Sequence, residues 1–355
     1  MRLVLGVDAG GTSSRAALFT MAGEVVRRGG AGGGNPGALG RDRAAANLVA
    51  AVRAALGGAA PGQVEAVVMG VAGSPEACAA LADRVFREVL PGVPVASVGD
   101  DVTAFAAGTA VASGSVLISG TGAIAAKIIG HRAVATADGF GWQLGDEGSA
   151  FWLGRAAARA TIRALATAGE GAARGAGVVT GPGAAGGDAP VAGRAVVGGG
   201  GGMVALVVRH LLPDGPGADP VARLAAAVHA RPPLALAELA PLVSRAAAAG
   251  DPMAVEIVRE AAARLVATLR SVHDSGPVVL AGSVLTSEGP VREAVTRLLA
   301  SGTAHHMAAT GDVIATAGDA AGAAAWLAAR PFLGPDESRA RHQHFVHPAA
   351  ARRTP

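Results

Sequence analysis

Near the start of the chain the apolar positions fall in short runs divided by glycine-rich turns. Arg2–Asp8 (RLVLGVD) reads as a buried strand, Ser14–Phe19 as a second, and Glu24–Arg28 as a third that completes an antiparallel meander. The apolar spacing of Arg43–Leu56 predicts a helix. Val64–Val71 returns to strand character and ends in AGSPE, where Ser74 can cap a helix opening at Pro75. Val93–Val98 is another short strand, and a helix over 102–107 follows it.

The pattern then begins again. Ser115–Ser119 (SVLIS) is a strand, a GTG turn follows, and Ala123–Ile129 is a strand once more. Strand, Gly/Thr turn, strand thus occurs near residue 8 and near residue 120, which predicts two related halves that each offer a backbone turn. Two ordinary hairpins would give the same pattern, but a pair of such turns is also what a clamp on a polyphosphate needs. From Ala150 to about Ala168 the pattern is helical, and Gly169–Gly202 is so rich in Gly, Ala, Pro and Val that a flexible insertion is expected. Its polyglycine lacks the flanking strand and capped helix of a phosphate loop. Helices resume near 236–249 and 252–272, followed by a strand over Pro277–Leu285 and a helix near 289–300. Ile314–Ala329 reads as a closing helix. The polar stretch 331–355 is expected to be a disordered tail, and metal binding by its His342, His344 and His347 is the lesser reading.

Composition narrows the classes of function. A hydrophobic share of 51% and a mean hydropathy of +0.41 raise the question of a membrane protein. The longest charge-free run, Val102–Ala126, is interrupted throughout by Gly, Ser and Thr, unlike a lipid-facing helix. Only five apolar or small residues separate Arg2 from Asp8, too few for the core of a signal peptide, so a soluble cytoplasmic protein is expected. Cys78 is the sole cysteine, which rules out an internal disulfide or an all-cysteine metal site within one chain. Net charge is +3, the arginines are scattered, and aromatics are 3%, so no nucleic-acid surface is expected.

Two stretches carry candidate chemistry. In GVDAGGTSS, the strand-end Asp8 stands beside a Gly-Gly-Thr turn, placing free N–H groups and a hydroxyl next to a carboxylate. Phosphate oxygens accept from such groups, and the carboxylate suits a bridging Mg²⁺. A GxxxxGK[ST] loop is excluded, because Ala126 precedes the only lysine, and no GxGxxG lies between a strand and a helix. Asp138–Gly154 (DGFGWQLGDEGSAFWLG) combines glycines, two tryptophans and three acidic residues. Asp146, Glu147 and Ser149 could simply cap the helix that follows. Capping leaves Trp142 unexplained, and an indole beside carboxylates can hold a sugar by its apolar face and its hydroxyls.

GVDAGGTSS, SGTG and GWQLGDEGSAFWLG together resemble the phosphate and sugar motifs of the N-acetylglucosamine kinase family. That family sits in the BadF/BadG/BcrA/BcrD ATPase group of the acetate and sugar kinase/actin-like superfamily. The resemblance covers roughly residues 3–160 and resumes at VVLAGSV and AGDAAGAAAWLA. It implies an α/β fold of two actin-like (ribonuclease H-like) lobes, each a mixed sheet with flanking helices, and an active site in the interlobe cleft. The lobes would span 1–113 with the closing helix 314–329, and 114–313.

Carried over residue by residue, Asp8, Gly10, Gly11 and Thr12 would form the first phosphate loop, with Asp8 reaching Mg²⁺ through water. Ser119, Gly120, Thr121 and Gly122 would form the second, and Gly282 and Ser283 would lie against the adenosine. Asp100 would be the general base, with Asp101 its rival. Asn35, Gly73, Trp142 and Asp146 would bind the sugar with Asp100. ATP and Mg²⁺ are the implied cofactors, an amino sugar the implied substrate, and a homodimer the implied assembly. One departure is Asp138-Gly139-Phe140 ahead of Gly141-Trp142, where family members often have two glycines. The extra carboxylate would either favour the amine of glucosamine over an acetamido group or face solvent. Dehydratase activators of the same fold need cluster cysteines, and repressor-type sugar kinases a cysteine-rich zinc motif; this chain has neither. A nucleotide- or sugar-sensing regulator without turnover remains the other reading.

Overall fold

The computed structural model describes residues 1–175, 202–301 and 313–348. The opening meander forms as the apolar runs predict: β1 (Leu3–Ala9), β2 (Ser13–Thr20) and β3 (Val25–Gly32) pair antiparallel in sequence. After a short turn of helix, α1 (Pro36–Leu39), and α2 (Arg41–Leu56), β4 (Val64–Val71) pairs parallel to β1. The chain then runs through α3 (Pro75–Val89) to β5 (Val95–Val98), which lies parallel to β4. Ser74 caps α3, accepting from the Ala77 N–H at 3.3 Å, and Pro75 opens it as the sequence predicts. The sheet order is β3-β2-β1-β4-β5.

Helix α4 (Asp100–Ala106) crosses to a second sheet built the same way. β6 (Gly114–Ser119), β7 (Ala123–Ile129) and β8 (Arg132–Asp138) form its antiparallel meander. A long helical excursion follows: α5 (Ala150–Gly175), α6 (Met203–Leu211), α7 (Pro220–His229), α8 (Ala240–Ala248) and α9 (Pro252–Arg270). β9 (Val278–Ala281) then pairs parallel to β6. After α10 (Ser283–Thr286) and α11 (Pro290–Ser301), β10 (Ile314–Thr316) pairs parallel to β9. The order β8-β7-β6-β9-β10 reproduces the first sheet strand for strand, with the same parallel and antiparallel pairings. The two-lobed actin-like α/β fold is therefore a repeated unit.

Alternation along β1 shows how the sheets are covered. Leu3, Leu5 and Val7 pack with α2 and α3, while Val4 packs with α12 (Ala320–Ala329) on the other face. Helix α12 is apolar on every side because it lies between the sheets, beside α4. It approaches β1 so closely that a Cβ at Gly6 would overlap the Ala321 carbonyl and the Ala325 nitrogen.

Several expected segments are built differently. Ile314–Thr316 is a strand of the second sheet, and helix begins only at Ala320. Val284 and Leu285, expected at the end of a strand, lie in α10, because Gly282 at φ 80° turns the chain after β9. The insertion expected over 169–202 begins as the last turns of α5, and its remainder to residue 201 lies outside the described residues.

The tail expected over 331–355 is ordered as α13 (Pro335–Val346), and only 349–355 lies outside the described residues. Few apolar residues anchor it, but they are well placed. Phe345 is fully buried with its ring 5.1 Å from that of Phe19. His342 donates from Nε2 to the Ala106 carbonyl at 2.7 Å, and Arg341 to the Met21 carbonyl at 2.8 Å. His342 thus ties the tail to the end of α4.

Candidate active site

Both glycine turns open on one cleft of about 660 Å³, whose walls include Gly11, Thr12, Thr121 and Ser283. In the first turn Gly10 donates to the Ser13 carbonyl and accepts from Gly34, which fixes the loop. The N–H groups of Gly11 and Thr12 have no acceptor among the described residues, leaving them free for an anion. The second turn is closed by Gly120 donating to Gly122 at 2.9 Å, and Ser119 donates from its hydroxyl to the Gly148 carbonyl. Gly282 lies against this turn, where a Cβ would overlap the Ser119 carbonyl. The predicted phosphate residues of the two repeats are thus brought together with Gly282 and Ser283. The sole lysine, Lys127, is buried elsewhere and pairs with Asp274.

The acidic residues converge from distant parts of the sequence. Asp8 lies one residue from the end of β1 on the α12 face, with Arg15 directly across the ladder. Asp100 opens α4 just after β5. Burial lifts the Asp8 carboxyl to about 6, with Arg15 opposing and Asp319 reinforcing the rise. Burial also lifts Asp100 to about 6, reinforced by the charges of Asp101 and Asp8. The rival Asp101 turns back on its own helix and accepts from the Val102 N–H at 2.8 Å, while backbone N–H groups of the same turn also lower the Asp100 carboxyl. Asp319, the aspartate of the AGDAAGAAAWLA stretch, joins this group although the sequence reading gives it no role. It caps α12, accepting from Ala321 at 3.1 Å, and is held by Arg28 at 2.6 Å.

The stretch after β8 folds into a loop that the carboxylates hold shut. Asp138 accepts from the N–H groups of Gly139, Asp146 and Glu147 at 2.7–2.8 Å. Asp146 is buried and accepts from Ala123 at 3.1 Å, which seats it against Gly122 of the second turn. Burial raises its carboxyl, the Ala123 N–H lowers it, and Asp138 raises it. Both aspartates sit in the left-handed region, at φ 63° and 59°. Such backbone costs on the order of 1 kcal/mol or more and persists only where its surroundings enforce it. Trp142 lies half-buried with its ring 5.6 Å from that of Phe151, while Phe140 and Leu144 are exposed.

Asp138 is therefore a carboxylate that holds the loop together through three backbone N–H groups. Asp138→Ala is expected to cost about 2 kcal/mol by releasing three N–H groups from a charged acceptor. Thermal unfolding of the two proteins checks this, and proteolysis within 139–148 should accelerate in the variant.

The remaining sugar-site residues lie on the first lobe. Asn35 caps α1, accepting from the Gly37 N–H at 2.8 Å, and its own N–H donates to the Gly10 carbonyl of the phosphate turn. Gly73 takes φ 143° and would place a Cβ 3.4 Å from the Cys78 sulfur. Burial raises the Cys78 thiol, helped by the charges of Asp100 and Glu76, which places Gly73, Cys78 and Asp100 in one neighbourhood. No group of three His, Cys, Asp or Glu that could hold a metal occurs among the described residues.

The apolar wall of the cleft has no counterpart in the sequence reading. It is formed by Leu153, Leu234, Ala237, Ala240, Pro241 and Val284, an apolar slot of the kind that takes an aromatic base. Alanine-rich sequence has no signature that distinguishes such a wall from any other helix surface.

Comparison with known proteins agrees with this fold. A candidate N-acetylglucosamine kinase of Chromobacterium violaceum superposes with a TM-score of 0.65 at 23% identity, covering 92% of this chain and 99% of that one. A candidate N-acetylglucosamine kinase of Porphyromonas gingivalis gives 0.58 at 19% identity, covering 98% and 100%. A ROK family glucokinase of Streptomyces griseus, solved with glucose and AMPPNP, gives 0.52 at 22% identity, covering 92% and 99%. These likenesses show the shared fold. No curated protein matches the sequence. The sequence profile of one family, however, matches from residue 5 to residue 326, a span that holds both turns, the Asp138–Gly154 loop and most of α12. The chain belongs to the BadF/BadG/BcrA/BcrD ATPase family.

Proposed function

We propose that this protein is an ATP-dependent kinase that phosphorylates the 6-hydroxyl of N-acetylglucosamine or a related amino sugar. One observation carries the reading: two repeated glycine turns open on a single cleft, and Asp8, at the start of the first turn, is close enough to buried Asp100 for each to feel the other's charge.

The triphosphate lies between the turns, accepting from Gly11, Thr12 and the second turn, with the base against the Leu153–Val284 wall. Mg²⁺ neutralises phosphate charge when bound, and Asp8 would hold it through water. One directly facing carboxylate, with Asp319 and Asp100 near enough to add negative charge, suits an ion that keeps most of its water. Asp100 orients the sugar hydroxyl and takes its proton as the new oxygen–phosphorus bond forms and the bond to ADP breaks. A base near 6 is ionised at neutral pH yet still basic enough to help. Closure of the lobes keeps out water, the competing acceptor.

The Asp138 carboxylate accepts three backbone N–H groups, so its role in this reading is to hold the sugar-site loop closed. The enzyme acts in the cytoplasm on free sugar, and a homodimer is the assembly the family likeness implies. No helix among the described residues is long and apolar enough to cross a membrane.

Filling the base slot tests the nucleotide site separately from the sugar site. Ala237→Trp should raise KM for ATP at least about 10-fold and leave sugar binding within about 2-fold. Initial rates with each substrate varied in turn measure both, and an unchanged KM for ATP would place the base elsewhere.

A further inference from the structure

Beside the first phosphate turn, three residues form one row across the sheet: Asp8 on β1, Arg15 on β2 and Gly30 on β3. Directly paired residues share a face of the sheet, so Arg15 stands on the same side as Asp8. The neighbouring row, Gly6, Ala17 and Arg28, is covered by α12. Gly6 lies against the backbone of Ala321 and Ala325, and Arg28 donates to Asp319 at the start of that helix at 2.6 Å. The row of Arg15 is one step nearer the turn and open. Arg15 and Gly30 are exposed, and a Cβ at Gly30 would meet nothing closer than 3.8 Å.

Arg15 has no hydrogen bond or close ion pair among the described residues. Its charge nevertheless reaches the buried Asp8 carboxyl, where it opposes the rise that burial causes. Other cations that could serve the site are engaged. Arg28 is held by Asp319, and the sole lysine, Lys127, is buried elsewhere against Asp274. Arg15 is thus the guanidinium that the fold sets beside the phosphate turn and leaves without a partner.

Charge balance gives that guanidinium a task. Asp8, Asp100 and Asp319 lie near enough to feel one another, and only Asp319 is paired with a cation. An incoming triphosphate adds several negative charges, of which one divalent ion offsets a part. The Gly11 and Thr12 N–H groups are donors without net charge. Transfer of a γ-phosphoryl group spreads charge over its equatorial oxygens, and a planar fork of cationic donors is well shaped to stabilise it.

We propose that Arg15 binds the γ-phosphate of ATP and stays on the phosphoryl group during its transfer. The assignment rests on the kinase reading of this cleft. The guanidinium meets the oxygens of the group whose neighbours are bound by the Gly11 and Thr12 N–H groups. As the bond from the γ-phosphorus to the ADP oxygen breaks, the bond to the sugar oxygen forms. The hydroxyl proton passes to Asp100, and Arg15 remains protonated throughout. Its contact is with the group that leaves ADP, so ADP itself is bound without it.

The test uses the full-length protein, with calorimetric titration of AMPPNP and of ADP in Mg²⁺ and initial rates with ATP and N-acetylglucosamine. The parent should bind AMPPNP more tightly than ADP. Arg15→Gln should weaken AMPPNP at least about 10-fold, leave ADP within about 2-fold, and lower kcat at least about 100-fold. Retained ADP binding shows that the variant is folded. Arg15→Lys should recover part of the rate, because it restores the charge without the fork. A role confined to the field at Asp8 would weaken both nucleotides alike and raise the Mg²⁺ concentration for half the maximal rate, which overturns the assignment. Equal binding of the two nucleotides by the parent overturns it too, as does an Arg15→Gln protein that keeps the parent's preference. With the parent still turning over, those results leave the kinase standing. A parent without turnover overturns the kinase reading alone if Arg15→Gln still loses the preference for AMPPNP.

Discussion

Asp100→Asn is expected to lower kcat by between about 100- and 10,000-fold while nucleotide affinity stays within a few-fold, because it removes the proton acceptor and keeps the shape of the site. The parent should lose kcat/KM below about pH 6, where the carboxyls of Asp100 and Asp8 both take up protons, with a limiting slope approaching two per pH unit. In the amide variant only the Asp8 protonation should remain, and the limiting slope of the residual rate should fall to one.

The same substitution should stabilise the fold. Burial raises the folded-state pKa of Asp100 from 3.8 to about 6, so folding favours the protonated carboxyl. That contribution is complete below pH 3.8 and is lost as pH rises through about 6. At pH 8 the parent therefore carries a buried ionised carboxylate that an amide does not. Asp100→Asn should gain about 2 kcal/mol there, after allowance for water in the cleft, and little at pH 4. Denaturant unfolding at the two pH values measures the difference. A variant that loses both activity and stability at pH 8 would make Asp100 a structural residue instead of a base.

The largest loss of stability is expected at Gly6. Its Cα faces α12 so closely that any Cβ meets the backbone of Ala321 and Ala325, which cannot rotate aside as a side chain could. Gly6→Ala should cost about 3 kcal/mol, the upper range for overpacking, and Gly6→Val should fail to give folded protein. Because α12 begins beside Asp319 and packs on β1 near Asp8, Gly6→Ala should also blunt activity in the protein that remains folded. Chemical denaturation of the alanine variant checks the first expectation.

How much can be read in advance depends on where the information lies. The strands around Asp8 and around Gly120 are legible because a buried strand and its glycine turn are written in a few consecutive residues. Their duplication predicts the repeated sheets, and the structure adds that both turns face one cleft. Strand β8 (RAVATAD) escapes a pattern reading because it is an exposed edge with little alternation to mark it. Helix α13 reads as a tail because its order rests on Phe345, Val346 and long-range bonds from His342 and Arg341, none of which a local pattern records. The end of α5 over 169–175 reads as loop because glycine and alanine give weak periodicity. Asp138 stands out as an oddity, but its partners Asp146 and Glu147 become neighbours only when the loop closes.

At the centre stands the claim that the paired turns and Asp100 together transfer a phosphoryl group from ATP to an amino sugar. The most direct test is ADP release measured against N-acetylglucosamine, glucosamine, N-acetylmuramic acid, N-acetylmannosamine and glucose, for the parent and Asp100→Asn. The expected result is turnover with a clear preference for an acetamido sugar, lost in the variant while nucleotide still binds. No turnover with any sugar, alongside tight binding of ATP or of a sugar, would contradict it and identify the protein as a sensor.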